Sequence, residues 1–369
     1  MKMIQLVTQM EAGGAQRVAY LLKEEFHRRG HDSRLLFLYT KRPAYAGKPH
    51  VESLLDHPPS PIDYFKIMIR LVRLLSREKP DVFITHTHYA NVMGHALSSL
   101  LHVPSRIAVQ HNPTHTYPYA ARITDRLLGS IGAYSHNVAV SRTVTDSIAR
   151  YPIAYLSRVT EVLNGVPEPT PSMPRRVTRN RWNIPLEVPL LVNVGRFSHQ
   201  KNQEFLIRLI EKDKNLHLLL VGDGELRELL HGLAVHLRVT DRVHFTGEIR
   251  QDEVIELISA SDIYVLPSRF EAASVVMLEA MLLSIPIVSN DIPSGRELLG
   301  EDAILADTAL PDRWLNSIRM LLARPDMASE MATRARIRAH RFTVPRMADA
   351  YEKLLDPEAG PILPERSIA

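Results

Sequence analysis

The sequence predicts two doubly wound α/β domains in tandem, and three observations carry that prediction. Short apolar runs rich in β-formers alternate with segments of helical spacing along the chain, the pattern of βαβ units and parallel sheets. The alternation is interrupted once, over residues 164–189, where Asn164-Gly165-Val166-Pro167 leads into Pro169, Pro171, Pro174, Pro185 and Pro189. The length, 369 residues, suits two units of about 150 residues each.

Residues 4–7 read as a short buried strand. Residues 15–28 place Val18, Leu21, Leu22 and Phe26 at helical spacing and end before Gly30. Residues 33–39 return to strand character. Residues 64–76 are helical, and over 64–79 Ile67, Met68, Leu71, Leu74 and Leu75 lie on one side and Lys66, Arg70, Arg73 and Arg77 on the other. Residues 82–85, 105–109 and 137–140 are further buried strands. Proline fixes φ and withholds a donor, so residues 169–184 read as a Pro-rich linker after a first domain of residues 1–168. The second domain, 185–339, restarts the pattern with strand 190–194, helix 202–211, strand 217–221, helix 225–237, strand 243–245 and helix 253–259. Strand 263–265, helix 274–283 and strand 287–289 follow, and helices 310–323 and 325–339 close it. Such sheets bind ligands at the carboxyl ends of their strands, and the cleft between two such domains is the expected active site.

Composition narrows the chemistry. The chain has no Cys, which excludes disulfides, Cys-ligated zinc, iron–sulfur clusters and thiol catalysis. No apolar run reaches 18 residues and no signal-like stretch follows Met1, so the expectation is a cytoplasmic protein without a membrane span. The net charge of +4 is uneven: residues 1–168 hold 20 Lys+Arg against 13 Asp+Glu, and the rest hold 25 against 28. A basic half suits a phosphate, an anionic lipid surface or nucleic acid, or is only scattered solvated charge. The cationic side of helix 64–79, and the loop Tyr117-Pro118-Tyr119 with Arg122 and Arg126 after it, are the candidate surfaces for a membrane or an acceptor. Packing of that helix on its own sheet, with a solvated outer face, is the plainer reading.

Glycine is scarce, 16 residues or about 4% against a usual ~7%, so the positions that keep it are informative. Gly13-Gly14-Ala15-Gln16-Arg17 stands between the first strand and the first helix, where backbone N–H groups and the helix dipole can receive a phosphate. It is neither a dinucleotide fingerprint nor a Walker A loop, and a plain tight turn explains it equally well. Gly195-Arg196 through Lys201 follows the first strand of the second domain and offers two cations five residues apart to a diphosphate. Gly222-Asp223-Gly224 stands at the next strand exit, as a ligand contact or as a turn with Asp223 capping the helix. Glu271 and Glu279 are eight residues apart, the first in a loop and the second about one turn into an apolar helix. They suit two separate contacts on an elongated polar ligand, with a helix N-terminus at Ser274 and Val275 between them to receive phosphate. Glu279 needs a partner to be tolerated there. In the first half, His86, His88 and His111 stand at strand exits as candidate proton donors or structural histidines. The His86-x-His88 pair has no Asp or Glu near it in sequence, so no metal is expected.

These motifs, in order, resemble the retaining GT-B glycosyltransferases of family 4. The resemblance rests on Gly13-Gly14-Ala15, Pro80-Asp81-Val82 with His86, His111-Asn112, Ala139-Val140-Ser141 and Asn164-Gly165-Val166. It continues with Val194-Gly195-Arg196-Phe197 and Lys201, Val221-Gly222-Asp223-Gly224, Phe245-Thr246-Gly247, Pro267-Ser268, and Glu271 followed by Glu279-Ala280-Met281. It implies a GT-B fold, with two Rossmann-like domains facing across a cleft and a C-terminal helix, 342–355, crossing back so that about 340–369 joins the first domain. It implies that Arg196 and Lys201 hold the donor diphosphate, that Glu279 binds the ribose hydroxyls, and that Glu271 lies near the donor sugar. His111 is then close to the transferred sugar, and Gly13 and Gly14 near the donor phosphates and acceptor. The implied donor is a nucleotide-diphosphate sugar, a UDP-sugar ahead of a GDP-sugar, used without metal or other cofactor. The implied acceptor is a saccharide or lipid-linked hydroxyl in surface polysaccharide or glycoconjugate synthesis, with peripheral contact at the inner face of an anionic membrane and no nucleic acid. The family often has Glu-Gly-Phe-Gly where this chain has Glu271-Ala272-Ala273-Ser274, and Ser284 replaces a usual Gly. Two rival readings follow: a GT-B nucleotide-sugar epimerase, and a non-catalytic nucleotide-binding partner subunit.

Overall fold

The computed structural model describes residues 1–356. The chain divides into two compact units, one of residues 1–165 with the helix Val344–Leu355, the other of Val166–Thr343. Residues 357–369, expected in the first domain, lie outside the described residues.

The first unit is built on a parallel sheet of seven strands, β1 (Lys2–Met10), β2 (Asp32–Thr40), β3 (Val51–Ser53), β4 (Val82–His86), β5 (Ser105–Gln110), β6 (His136–Ala139) and β7 (Val159–Glu161), in the order β3-β2-β1-β4-β5-β6-β7. Its central strands β1, β4 and β5 are buried along most of their length because helices cover both faces. Helix Gly14–Arg28 buries Val18, Ala19, Leu22 and Phe26 on one side, and helix Pro61–Glu78 buries Ile67, Leu71 and Leu75 on the other. Val344–Leu355 packs on Gly14–Arg28. Tyr351 meets Phe26 edge-on there, and Arg29 donates to Asp349 and Glu352 at 2.7 and 2.6 Å.

The second unit has a six-stranded parallel sheet, β8 (Leu190–Val194), β9 (His217–Val221), β10 (Val243–Gly247), β11 (Ile263–Leu266), β12 (Ile287–Asn290) and β13 (Ile304–Ala306), in the order β10-β9-β8-β11-β12-β13. Its core gathers Leu206, Ile210, Leu218, Leu220, Ile318 and the fully buried Trp314, whose indole N–H donates to the Ala306 carbonyl at 2.9 Å.

One boundary needs correction. Residues 169–184 are not a linker but part of the second unit. Ser172 and Met173 donate backbone N–H bonds to the Glu256 carboxylate at 2.6 and 3.1 Å. Helix Arg175–Arg181 then buries Arg179 completely, with its guanidinium donating to the carbonyls of Pro185, Leu186, Val188 and Ala260 and to Asp262. The prolines mark the edges of a docked segment rather than a free one. The return to the first unit begins at Val344, and just before it Val166 N–H donates to the Phe342 carbonyl at 3.0 Å and Val166 bridges Thr343.

Each sheet reverses its winding once, between β1 and β4 in the first unit and between β8 and β11 in the second. At such a switch point neighbouring connections leave in opposite directions and open a crevice at the carboxyl ends of the strands. Both crevices carry the residues picked out from the sequence.

Candidate active site

In the second unit, the loop leaving β8 and the loop leaving β11 are tied together. Arg269 N–H donates to the Gln200 carbonyl at 2.8 Å, Gln200 Nε2 to the Phe270 carbonyl at 3.0 Å, and Asn202 Nδ2 to the Pro267 carbonyl at 3.3 Å. These bonds bring Lys201 and Glu271, 70 residues apart in sequence, into an ion pair of 2.6 Å across the switch point. The pair is largely shielded, at 19% and 8% side-chain exposure. An ammonium has three donors, so two remain on Lys201 for a second anion.

Arg196 leaves β8 on the other side and pairs with Glu225 at 3.0 Å. Both partners are about half exposed, and such a pair is worth well under ~1 kcal/mol. Half of the Arg196 side chain thus remains open to solvent at the exit of β8.

Glu279 lies one turn into helix Val275–Leu282 and is fully buried. Its partner is Gln251, whose Nε2 donates to both carboxylate oxygens at 3.1 and 3.2 Å. The sequence demanded such a partner but did not identify Gln251, which opens a different helix, Gln251–Ser259. Tyr264, buried on β11, reports both carboxylates: burial first, then Glu271 and Glu279, push its phenol above the usual range. Ser274 caps the Val275–Leu282 helix, accepting from Met277 N–H at 3.4 Å. The N–H groups of Val275 and Val276, which precede Met277 in the first turn, have no intrahelical acceptor.

The Gly222 loop has a structural explanation of its own. Gly195 N–H donates to the Val221 carbonyl at 2.9 Å and Phe197 N–H to the Asp223 carbonyl at 3.0 Å, so the exits of β8 and β9 are stitched. A Cβ on Gly222, where φ is +132°, would lie 2.2 Å from the Gly195 carbonyl oxygen. Glycine is therefore required there by backbone approach. Asp223 does not cap the following helix, whose N-cap is Leu226; it accepts from Gly224 N–H at 2.8 Å instead.

In the first unit, Gly13 is the extended N-cap of helix Gly14–Arg28. A Cβ there would meet only the movable end of Gln16, so the turn itself does not demand glycine. Across the switch point, His86 ends β4 and His111 follows β5. The Gln5 amide orientation follows from its neighbours: its oxygen accepts from Lys23 N–H at 3.0 Å and its nitrogen donates to the Ala19 carbonyl at 3.2 Å and to His86 Nε2 at 2.9 Å. The His86 proton is then on Nδ1, which donates to His111 Nε2 at 3.0 Å. His111 is left with its proton on Nδ1 as the donor it offers to a ligand. Burial holds His111 at about 4. Burial and the neighbouring His111 keep His86 well below the ordinary value. Both rings are neutral at physiological pH.

His88 does not join this pair. It stacks on Tyr117 with ring centroids 4.9 Å apart. Among the described residues no group of three or more His, Asp or Glu side chains converges as a metal site would require. Between His86 and His88, Thr87 adopts φ +77°, a strained value for a β-branched residue. Its hydroxyl bonds Thr8 N–H at 3.2 Å and Thr8 Oγ1 at 2.7 Å, tying the exits of β1 and β4. Sequence reasoning passed over Thr8, Thr87 and Gln5, because no local pattern announces contacts across strands. Among the described residues no helix is long and apolar enough to cross a membrane.

The chain is similar to several known proteins. The family described as "Glycosyl transferases group 1" matches residues 174–338, and "Glycosyltransferase Family 4" matches residues 12–168. The lipopolysaccharide core biosynthesis glycosyltransferase LpsE of Rhizobium meliloti is 29% identical over 182 residues, covering 48% of this chain and 53% of that protein. The chain thus spans about half the length of that relative. LpsD of the same organism, also a lipopolysaccharide core biosynthesis glycosyltransferase, is 26% identical over 352 residues, covering 93% and 95%. The structure of HepE of Anabaena in complex with UDP and glucose superposes with a TM-score of 0.82 over 95% of this chain and 98% of that one, at 19% identity. The fold is GT-B.

Proposed function

The chain belongs to the group 1 glycosyltransferases of GT-B fold, and from that premise we propose that it transfers a sugar from a nucleoside diphosphate to an acceptor hydroxyl with retention of anomeric configuration. The observation that carries the reading is the shielded Lys201–Glu271 pair at the switch point, with Arg196 beside it at the exit of β8 and the buried Glu279 on the next helix. Cations that neutralise a departing diphosphate are the main catalytic device such a transfer needs.

In this reading the anomeric C–O bond to the diphosphate breaks as the acceptor oxygen bonds the same carbon from the same face. The acceptor proton passes to a departing phosphate oxygen. Lys201 and Arg196 take up the charge that develops on that phosphate, Lys201 with the donors its bond to Glu271 leaves over. Glu271 is then placed to accept from the sugar hydroxyls, and Glu279 from the ribose hydroxyls. First-turn amides at Ser274 and Val275 face the phosphates. In the first unit, His111 offers Nδ1–H to the transferred sugar, and the amides of Gly13 and Gly14 approach phosphate or acceptor. No metal is required where two cations and a helix terminus neutralise the diphosphate. Gly195 and Gly222 serve by bringing the β8 and β9 exits together rather than by touching the donor.

HepE, with its UDP and glucose, supports a uridine donor ahead of a guanosine one, and the lipopolysaccharide core relatives support a saccharide acceptor in surface glycoconjugate synthesis. A panel of nucleotide sugars, read first by thermal shift and slow donor hydrolysis and then by product anomer in NMR, tests this. The expected result is one preferred donor and a product that keeps the donor's configuration. Turnover in Lys201→Ala should fall at least ~100-fold. Conversion of the donor without an acceptor to an epimer, or binding without turnover, would support the rival readings instead.

A further inference from the structure

A chain of polar groups in the first unit begins on the backbone of a helix and ends at the switch point. Ala19 and Lys23 stand four residues apart on helix Gly14–Arg28, so the Lys23 N–H and the Ala19 carbonyl belong to one rung of its ladder. The side-chain amide of Gln5, on β1, lies against that rung. Its oxygen accepts from Lys23 N–H at 3.0 Å and its nitrogen donates to the Ala19 carbonyl at 3.2 Å. The other N–H of the amide donates to His86 Nε2 at 2.9 Å, and His86 Nδ1 meets His111 Nε2 at 3.0 Å. Gln5 and His86 are fully buried, and His111 is 8% exposed.

Taken alone, each link could run in either direction. A neutral imidazole carries its proton on either nitrogen, and an amide can be turned over. The helix removes the choice. Its N–H groups all point one way and its carbonyls the other. Turned over, Gln5 would set oxygen against the Ala19 carbonyl and N–H against the Lys23 N–H. With the amide fixed, His86 Nε2 only accepts and the proton of that ring is on Nδ1. His111 Nε2 then only accepts as well, and its proton is on Nδ1. Burial keeps both rings uncharged, so neither gains a second proton that would erase the direction.

We propose that Gln5 and His86 are positioning residues. Through them the backbone polarity of helix Gly14–Arg28 commits His111 to donate from Nδ1, and so selects a donor sugar that presents an oxygen lone pair there. A hydroxyl, a carbonyl or a carboxylate qualifies. A methylene in that place leaves the His111 donor unpaired, and an ammonium sets proton against proton. The selection of the sugar rests on the placement of His111 proposed above. The fixing of the proton rests on the first unit alone.

The test is long-range nitrogen–proton correlation NMR on the full chain with isotope-labelled histidine, the His111 signals being those lost in His111→Gln. In the wild type, Nδ1 of His111 should be the protonated nitrogen. Gln5→Met keeps the volume but removes the amide donor, and Lys23 N–H and the Ala19 carbonyl can still bond each other. There an Nε2–H form of His111 should appear beside the Nδ1–H form. In Gln5→Glu, read at about pH 9 where a buried carboxyl ionises, the carboxylate only accepts, so both rings should carry the proton on Nε2. Thermal unfolding shows that each variant is read folded, and a role in packing alone would not move the proton. With the nucleotide sugar that the panel above selects, kcat should fall about 100-fold in Gln5→Glu, the scale of losing one donor at the reacting centre, while the Kd for UDP is unchanged. His111 protonated on Nε2 in the wild type, or wholly on Nδ1 in both variants, overturns the proposal. A proton that moves while kcat holds leaves the relay standing and removes His111 from the sugar, which overturns the selection and the reading it rests on.

Discussion

Replacing Glu279 by Gln separates the cost of a buried charge from its use. The carboxylate is fully buried, and Gln251 donates once to each oxygen. A carboxylate can accept from both hydroxyls of a ribose diol. A hydrogen bond to an ionised acceptor is worth about 1.5–3 kcal/mol and a neutral one about 1. Glu279→Gln should thus lose roughly 2 kcal/mol over two hydroxyls, about 30-fold in Kd. Stability should move the other way or not at all, because an amide of the same shape is cheaper to bury than a charge. Calorimetric titration with UDP and thermal unfolding of the same variant measure the two effects. An affinity within threefold of the wild type would refute the ribose assignment. A fall of several degrees in Tm would refute the claim that the charge is kept for a ligand at the expense of the fold.

Three further outcomes follow from the geometry. Burial holds His95 at about 3, so the unfolded chain, at ~6.5, takes up a proton that the folded chain refuses. Its contribution is fully present above pH ~6.5 and is lost as pH falls towards 3, about 2 kcal/mol being gone by pH 5. Denaturant titrations at pH 8 and pH 5 should show a smaller acid loss in His95→Gln, and equal losses in both proteins would contradict this. Gly222→Ala forces a Cβ against the Gly195 carbonyl in a backbone region that L-residues avoid; a loss of about 3 kcal/mol is expected, and an unchanged Tm would show that the stitched exits are looser than described. Transfer should persist after exhaustive chelation, and activity restored only by a divalent ion would replace the two-cation view of the diphosphate.

What was legible in the sequence follows the range of the interactions. Long strands and amphipathic helices with strong periodicity, such as Gly14–Arg28 and Pro61–Glu78, were visible because burial repeats along them. The three-residue strands Val51–Ser53, Val159–Glu161 and Ile304–Ala306 are too short to show a period. Helix His88–Leu100 has no polar face to contrast with its apolar one. Helix Arg175–Arg181 hid among prolines because what orders it, the Arg179 bonds to Asp262 and Ala260, comes from more than 80 residues away. In the candidate site, Arg196, Lys201, Glu271, Glu279 and His111 stood out by residue type beside strand exits. Gln251 at Glu279, Gln5 behind the His86–His111 pair and the Thr87–Thr8 tie did not, since a neutral amide or hydroxyl has no signature until the sheet order brings its neighbour to it.

The return of Val344–Leu355 to the first unit has a consequence for how the chain is made. Residues 166–343 are translated between the body of the first unit and the helix that completes it, which at 5–20 residues per second takes roughly 10–35 s. Through that interval the side of Phe26 that Tyr351 will cover, and Arg29 without Asp349 and Glu352, stay open on the nascent chain. The first unit thus emerges before the second but is finished after it. A chain stopped within residues 166–343 therefore carries a first unit whose Phe26 surface is still unsealed.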